Sequence, residues 1–243
     1  MTPAVAVFRP ADDRLRRAVD LLESLDVEPV ADPMLAVEPT GTHPRTDAEF
    51  TVLTSRTGVE LVDGADWVPT GELCAIGAST AGALREHGYG VDRVPDTYSS
   101  AGLVEALRES VDGARVEVAR SDHGSDVLLD GLLDAGAYVH ETVLYRLTRP
   151  PGAGESCERA ANGDLDGALF SSSLTVEHFL EAAADRGVRE AAVAGLNDAV
   201  VGSIGRPTAD RAAEFGVEVD VVPDTADFET LAREVVARIR ERD

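Results

Sequence analysis

The chain has 243 residues, of which 44% are hydrophobic, with a formal net charge of −23 and no lysine among its 22 basic residues. This length and apolar content suffice for two compact domains, and no apolar run reaches the roughly 18 residues that a membrane-spanning helix needs. The acidic balance argues against a nucleic-acid partner, whose phosphates attract basic residues, and an acidic surface without lysine favours adaptation to high salt.

Along the chain, short β-branched runs alternate with amphipathic stretches, which predicts βα units, parallel sheets and an α/β fold. The clearest helix is 11–24, where apolar residues recur every three or four positions and Asp12 and Asp13 lie in the first turn. The predicted strands are residues 4–8, 27–30, 50–54, 73–77, 91–94, 115–119, 137–145, 167–170, 199–204 and 217–221.

The chain contains internal repeats. The motif that begins Ile76-Gly77 returns as the one that begins Ile204-Gly205, and 13 of the 28 positions from 76 to 103 are identical at this offset of 128. Two shorter similarities join 53–55 to 170–172 and 5–9 to 116–120, at offsets of 117 and 111. Repeats predict two similarly folded halves, and a crevice between halves is a usual place for a small-molecule site.

The order of the repeated units predicts a discontinuous domain map. Residues 50–145 contain one complete set of units, so the other set must combine the amino-terminal unit with the carboxy-terminal ones. We expect one domain from residues 1–36 plus 152–243 and an inserted one from 37–151, both parallel-sheet βα domains of the flavodoxin-like kind. The Pro- and Gly-rich stretches 37–44 and 149–154 are the predicted two-segment linker.

Two repeated glycines follow predicted strands. Gly77 and Gly205 let the chain turn sharply, and Ser79, Thr80 or Thr208 can then cap the next helix through a side-chain oxygen. Open amide groups at such a turn can bind an anion. The alternative interpretation is that each junction only begins a helix.

Hydroxyl groups cluster at the predicted carboxyl ends of strands. Thr54-Ser55 and Ser171-Ser172 lie where open α/β sheets bind ligands, and they offer donors without a fixed charge. Tyr145 ends another predicted strand near the second linker, and its phenol can donate or accept a proton. Helix capping by the hydroxyls and core packing of the tyrosine are the alternatives.

Five arginines fall at or near strand and turn ends, where they could bind carboxylates in a bidentate manner. A surface ion pair is the alternative for each one. They are Arg9, Arg56, Arg120, Arg146 and Arg206.

Several common sites are disfavoured. The chain has no nucleophile elbow of the Gly-x-Ser-x-Gly kind, no Gly-x-Gly-x-x-Gly after its first strand, and, without lysine, no phosphate-binding P-loop. Cys74, Cys157 and five scattered histidines lack metal-ligand spacing. We therefore expect no cofactor, no metal and no disulfide. The first ten residues lack the features of a signal peptide, so a cytoplasmic location is expected.

Together, the order of these motifs resembles the uroporphyrinogen-III synthase family. The matching pieces are the strand that ends in Arg9-Pro10, Leu53-Thr54-Ser55 with Val59, Ile76-Gly77-x-x-Thr80-Ala81, Val143-Leu144-Tyr145, Phe170-Ser171-Ser172-Ser173 and Ile204-Gly205-Arg206-Pro207-Thr208-Ala209.

The resemblance implies a cofactor-independent enzyme of tetrapyrrole biosynthesis, on the route to haem, sirohaem and cobalamin. Such an enzyme closes hydroxymethylbilane to uroporphyrinogen III, inverting the last pyrrole ring and losing water through an azafulvene and a spiro intermediate. It also implies that Tyr145 assists departure of the hydroxyl group, and that the protein acts as a monomer. We expect a locally positive crevice for the eight substrate carboxylates. The expected substrate-binding residues are Arg9, Thr54, Ser55, Arg56, Gly77, Thr80, Ser171, Ser172, Gly205, Arg206 and Thr208.

Two other classes of protein remain open from the residues alone. A non-catalytic, two-lobed module could close on a small anion with the same turns, although no export signal supports an extracytoplasmic binding protein. A structural protein with two paired halves would explain the repeats but would leave the hydroxyl clusters without a purpose.

Overall fold

The computed structural model describes residues 2–63 and 67–242. The chain divides into two compact units, which we call unit 1 (Met1–Ala36 with Thr148–Asp243) and unit 2 (Val37–Leu147). The second boundary lies four residues before the expected one, at 147 instead of 151. The strand at this boundary ends at Thr148, past the predicted end at Tyr145.

The described residues form strands and helices that alternate along most of the chain. In chain order they are β1 (Ala4–Val7), α1 (Asp13–Ser24), β2 (Glu28–Ala31), β3 (Ala36–Pro39), β4 (Phe50–Leu53), α2 (Arg56–Asp63), β5 (Glu72–Ala75), α3 (Ala78–Glu86), α4 (Ser100–Leu107), β6 (Arg115–Ser121), α5 (Asp126–Asp134), β7 (Tyr138–Thr148), α6 (Glu155–Ala161), β8 (Gly167–Phe170), α7 (Ser173–Asp185), α8 (Arg189–Asp198), β9 (Val200–Ser203), α9 (Arg206–Glu214) and α10 (Phe228–Arg242). None of the described helices is both long and apolar enough to cross a membrane.

The two sheets share a spatial order of four strands. In unit 1 the strand order is β2-β1-β8-β9, with parallel pairing throughout. In unit 2 the order is β3-β7-β6-β4-β5, and the pairs from β7 to β5 are parallel. The sequence offsets match β1 with β6, β2 with β7, β8 with β4 and β9 with β5, so the shared four-strand order repeats.

This matching explains the discontinuous unit. Unit 2 uses its strands in the chain order β4, β5, β6, β7, whereas unit 1 begins with the equivalents of β6 and β7 and ends with those of β4 and β5. The two units are therefore circular permutants of each other. A chain that enters unit 2 after β2 and returns to unit 1 before β8 supplies both sets of strands.

The repeat extends to individual contacts at the sheet edge. The carboxylate of Asp92 accepts the Leu73 N–H at 2.7 Å, and Asp220, 128 positions later, accepts the Val201 N–H at 2.9 Å.

The strands predicted at 91–94 and 217–221 are wrong. Each segment forms only one isolated bridge, at Arg93 and at Val221 respectively. A proline follows within two residues in both segments, and proline cannot donate to a sheet ladder.

Strand β3 was not predicted, since its residues fall mainly in the expected linker 37–44. It lies at the edge of the unit 2 sheet beside β7, and the N–H of Thr40 continues the contact by donating to Leu144 O at 3.0 Å. An edge position tolerates Pro39, whose missing N–H would interrupt an interior strand. The other strand limits differ from the predicted ones by a few residues at most, except at the carboxyl end of β7.

Both sheets are buried on two faces by helices. In unit 1, Phe8, Phe170 and Phe179 form an aromatic cluster with ring centroids 4.6–5.9 Å apart. In unit 2, Leu53 and Leu144 lie in the core cluster on the Tyr145 face. Apolar burial on both faces holds the carboxyl ends of the parallel strands in fixed positions.

Candidate active site

Tyr145 is held by a side chain from another strand end. Its phenol is buried, with 7% of the residue exposed, and its O–H donates to Ser55 Oγ at 2.9 Å. Strand β6 lies between β7, which carries Tyr145, and β4, which leads into Ser55. Ala119 of β6 belongs to the same core cluster, and its small side chain leaves room for the ring. The structure therefore brings two of the predicted site residues together.

Ser55 also begins helix α2. Its Oγ accepts the Gly58 N–H at 2.9 Å, which is the hydrogen bond of a helix N-cap. In unit 1, Ser172 occupies the equivalent position and its Oγ accepts the Thr175 N–H at 3.3 Å. Both serines are caps, as the alternative interpretation held, and Ser55 binds the tyrosine in addition. One oxygen thus couples the position of the phenol to the start of a helix.

The neighbouring hydroxyls are available to a ligand. Thr54 and Ser171 are half-buried at the ends of β4 and β8. Within the segments that the structure describes, neither hydroxyl has a hydrogen-bond partner. Each unit therefore presents one capping hydroxyl and one unengaged hydroxyl at the carboxyl edge of its sheet.

The predicted capping by Ser79, Thr80 and Thr208 is wrong. Helices α3 and α9 begin directly after Gly77 and Gly205, and no side chain caps either of them. Thr80 and Thr208 are each the third helical residue, within the first turn, and only 4% exposed. Because the helices begin earlier than expected, these two residues lie inside the helices and are almost entirely buried.

The glycines do not serve a left-handed turn. Gly77 has φ −174° and Gly205 has φ −177°, which is extended backbone that any residue can adopt. At α3, the N–H groups of Ala78 and Ser79 have no acceptor among the described residues, so they are open to an anion. Cap-free helix starts preserve these donors, which a serine or aspartate cap would partly occupy.

Tyr98 was not predicted as a site residue. It is 65% exposed, and a Cβ added to Gly77 would lie 3.1 Å from both Cβ and Cγ of Tyr98. The ring therefore lies directly over the start of α3. A sequence signal exists, because Tyr98 interrupts the long repeat, where Ala226 is its equivalent, and all four tyrosines of the chain lie in unit 2.

Among the predicted arginines that have no carboxylate partner in the described residues, Arg9 is the least exposed. Its guanidinium carbon lies 4.5 Å from the centroid of the Phe228 ring, a cation–π arrangement. Burial lowers the pKa of Arg9, the charge of Arg14 lowers it further, and Asp12 and Asp227 act in the opposite direction. No acid in the described part of the chain forms an ion pair with Arg9, so the half-buried charge is available for a ligand.

The other arginines divide into exposed and internally satisfied groups. Arg206 and Arg146 are exposed, with no ion pair in the described residues. Arg56 is half-exposed and pairs with Glu86 at 3.1 Å. Arg120 is buried, and it donates to Glu141 at 2.5 Å and to the Ser125 carbonyl at 2.6 Å, so it stabilises unit 2 and is closed to a ligand.

The two thiols are not nucleophiles. Cys74 and Cys157 are both buried and unpaired, and burial raises the pKa of each thiol to about 12. A thiolate is the reactive form of cysteine, and it is scarce at neutral pH with such a pKa. Among the described residues no His, Cys, Asp and Glu cluster is arranged to hold a metal ion.

Unit 2 also has a cavity of about 760 Å³ at the opposite, amino edge of its sheet. Arg45, Arg115, Leu133, Tyr138 and His140 contribute to its lining. None of the predicted site residues lines this cavity. Tyr138 is 71% exposed there, which makes it comparable in exposure to Tyr98.

Comparison with known proteins connects this geometry to one family. Residues 16–233 match the family model described as uroporphyrinogen-III synthase HemD. A relative from Methanothermobacter thermautotrophicus, whose name also refers to uroporphyrinogen-III synthase, is 30% identical over 230 residues, covering 88% of this chain and 90% of that protein.

Two solved structures share the fold. A mutant uroporphyrinogen III synthase from Thermus thermophilus gives a TM-score of 0.70 at 21% identity, with 100% of both chains covered. The uroporphyrinogen-III synthetase of Helicobacter pylori gives a TM-score of 0.67 at 15% identity, over 98% of this chain and 100% of that one.

Proposed function

Since this chain belongs to the uroporphyrinogen-III synthase family, it is a cyclising lyase of tetrapyrrole biosynthesis, and we propose that Tyr145 is its catalytic residue. The reaction closes hydroxymethylbilane to uroporphyrinogen III with inversion of the last pyrrole ring. The hydrogen bond from Tyr145 to Ser55 Oγ is the observation that carries the assignment of the residue.

The phenol acts at the first step. The C–O bond of the terminal hydroxymethyl group breaks as electrons from the pyrrole nitrogen form an azafulvenium ion, and the departing oxygen gains a proton from the phenol and leaves as water. Release of the pyrrole N–H proton then gives the neutral azafulvene and restores the phenol. A hydroxyl that leaves as water needs a proton donor within hydrogen-bond reach. We assign that role to the Tyr145 O–H, which exchanges its acceptor from Ser55 Oγ to the substrate oxygen.

Substrate carboxylates are bound by donors on each sheet edge. We assign this role to the unengaged hydroxyls of Thr54 and Ser171 and the open amides at the start of α3. Arg9 and Arg206 supply positive charge, since neither is paired with an acid in the described residues. A polyanionic substrate must approach a protein of net charge −23, and these local charges offset that repulsion at short range. At molar salt the Debye length is about 3 Å, so only such local charges matter.

The activity test uses freshly generated hydroxymethylbilane in molar KCl, with oxidation of the products and separation of the uroporphyrin I and III isomers. Isomer III in large excess over the protein-free control is the expected result. Isomer I alone, from folded protein, would favour the anion-binding module. Tyr145→Phe should lower kcat at least several-fold. Its matched control is Tyr138→Phe, which removes a phenolic hydroxyl at the other edge of the same sheet. A wild-type rate in Tyr145→Phe would return Tyr145 to a packing role.

The arginines have their own test. Arg9→Gln and Arg206→Gln should raise KM for hydroxymethylbilane at high salt, because each removes a charge that we assign to carboxylate binding. Arg85→Gln makes the same change in net charge on an exposed side chain of α3, and it should leave KM unchanged. Equal KM values for all three variants and the wild type would contradict the proposed binding role.

We further propose that the protein acts as a cytoplasmic monomer, in a salt-adapted organism, on a small-molecule substrate and without nucleic acid. The absence of lysine and the net charge of −23 support the salt adaptation. Activity that rises from low salt to molar KCl would agree with it, and sedimentation under the same conditions would test the monomer.

A further inference from the structure

In the longest repeat, the position that follows the identical run 94–97 carries a different side chain in each unit. In unit 2 the loop before α4 is fixed by the Ser99 N–H, which donates to Thr97 O at 2.8 Å. In unit 1 the Asp227 N–H donates to Thr225 O at 2.7 Å, at the same offset of 128 positions. The residue enclosed by each contact is Tyr98 in unit 2 and Ala226 in unit 1. The two backbones are alike here, so the difference lies in the side chain.

The following helix caps are alike as well. Ser99 Oγ accepts the Gly102 N–H at 3.0 Å, and Asp227 Oδ1 accepts the Thr230 N–H at 2.8 Å. The loop in each unit is therefore fixed on both sides of the variable position. A side chain on such a loop is presented in a defined place, which favours contact with a ligand.

Folding does not explain the aromatic ring. Tyr98 is 65% exposed, and its hydroxyl has no hydrogen-bond partner in the described segments. The equivalent glycine in unit 1, Gly205, has open space, since a Cβ added there would meet only Pro207 Cδ at 3.9 Å. The same backbone thus forms without a ring above it. An exposed ring buries little apolar area and contributes little to stability.

We propose that Tyr98 contacts the substrate and helps to determine which face of the tetrapyrrole chain is presented; this inference rests on the proposed function. One ring face packs against a pyrrole of hydroxymethylbilane. A carboxylate arm of that pyrrole binds the open amides of Ala78 and Ser79, beside Gly77. Tyrosine is suited to this contact because it offers a large, rigid surface with few torsions to fix.

The placement of Tyr98 gives it a role distinct from that of Tyr145. Tyr98 lies over the end of β5, and Tyr145 belongs to β7, three strand positions away in the same sheet. At about 4.8 Å per strand this separation is about 14 Å. Tyr98 therefore binds a different pyrrole from the one that loses water. Holding the chain at two separate points limits which carbon reaches the azafulvene, and hence the ratio of the isomers.

The experiment compares Tyr98→Ala, Tyr98→Phe and Tyr138→Ala in molar KCl. For Tyr98→Ala we expect KM for hydroxymethylbilane to rise about three- to tenfold, the range for losing one aromatic contact. We also expect a larger fraction of isomer I. Tyr98→Phe keeps the ring and should restore both values. Tyr138→Ala removes a ring of similar exposure at the amino edge and should change neither.

Each outcome has a distinct meaning. Wild-type KM and isomer ratio in Tyr98→Ala would overturn the inference, while isomer III from the wild-type protein would leave the proposed function intact. No isomer III from the wild-type protein would overturn the proposed function itself. An effect of Tyr138→Ala equal to that of Tyr98→Ala would also overturn the inference, because it would show a general effect of removing exposed rings. Thermal melts confirm that each variant is folded.

Discussion

Substituting Ser55 by alanine tests how the candidate catalytic phenol is positioned. The Ser55 hydroxyl oxygen accepts two hydrogen bonds, from the Tyr145 O–H and the Gly58 N–H, both at 2.9 Å. Alanine removes this acceptor, and both hydrogen bonds are lost at once. The Tyr145 hydroxyl is then left buried without its partner, and helix α2 loses its cap.

The loss of the helix cap and the loss of the tyrosine's partner lower the stability by different amounts. Removing a serine cap costs about 1 kcal/mol, and leaving a buried hydroxyl unsatisfied costs about 1–3 kcal/mol more. Ser55→Ala should therefore destabilise unit 2 by about 2–4 kcal/mol. Ser172→Ala is the matched control, because Ser172 caps α7 in the same way but binds no tyrosine. It should cost only the capping contribution, about 1 kcal/mol.

The assay is urea unfolding followed by two signals. Trp67, the single tryptophan, is 4% exposed in the unit 2 core, so its fluorescence reports the unit that contains Ser55 and Tyr145. Circular dichroism reports both units and measures Ser172→Ala, since two units need not unfold together. A double-mutant cycle that combines Ser55→Ala, Tyr145→Phe and the double variant should give a coupling energy of about 1 kcal/mol between the two side chains.

Either of two results would show that Ser55 does not position the Tyr145 phenol. One is an equal loss of stability in Ser55→Ala and Ser172→Ala. The other is a coupling energy below about 0.3 kcal/mol, the usual limit of additivity. In addition, Tyr145→Phe should partly restore the stability of Ser55→Ala, because phenylalanine has no hydroxyl to leave unsatisfied.

Three other contacts can be tested by substitution. Asp32→Ala should destabilise unit 1 by about 3 kcal/mol in urea unfolding. The buried carboxylate accepts the backbone N–H groups of residues 154 and 156, and these groups would lose their partner. Asp32→Asn keeps an oxygen acceptor and should therefore destabilise unit 1 less. Gly77→Ala should lower Tm more than Gly205→Ala does. Both substitutions replace an N-cap glycine, but only the new Cβ at position 77 would lie 3.1 Å from Tyr98. An equal decrease in Tm for the two variants would contradict the contact with Tyr98. Hydrogen bonds from the Thr230 backbone and hydroxyl lower the pKa of Asp227, so the stability that it provides is present above the unfolded pKa of about 4 and lost as pH falls through the folded value. Asp227→Asn should show a smaller fall in Tm on acidification, and an unchanged slope would contradict this linkage.

The sequence was sufficient for the topology because the topology is encoded in repeats. The repeated segments stand in the same order in both halves of the chain, at offsets of 111, 117 and 128, and the middle of the chain contains one complete set. The structure contains two sheets with a common four-strand order and a permuted chain order. The strand predictions are wrong where the strand propensity of a segment and its position in the sheet disagree. Residues 91–94 are rich in valine, yet Pro95 limits the segment to a single bridge, whereas Pro39 is compatible with β3 because β3 is an edge strand.

The site was only partly predictable. The contact between Tyr145 and Ser55 spans 90 positions in sequence and depends on the β7-β6-β4 order together with the small residue Ala119. No local pattern contains that information. The capping error at Thr80 has a simpler cause, since a glycine N-cap leaves no side-chain signal and the helix begins three residues before the position that a Thr80 cap predicts.

A duplicated scaffold separates what is structural from what is functional. Where equivalent residues make the same contact, as Asp92 and Asp220 do at the sheet edge, the contact maintains the fold and needs no other explanation. Where the backbone repeats but the side chain differs, folding alone does not select the residue. Tyr98 against Ala226 is such a difference, because the loops match and unit 1 forms without the ring. The same reasoning applies to Ser55, whose cap repeats in unit 1 while its bond to a tyrosine does not. A cyclisation that inverts one ring of four must treat the ends of its substrate differently, and side chains that depart from the repeat are the means by which two similar units can do so.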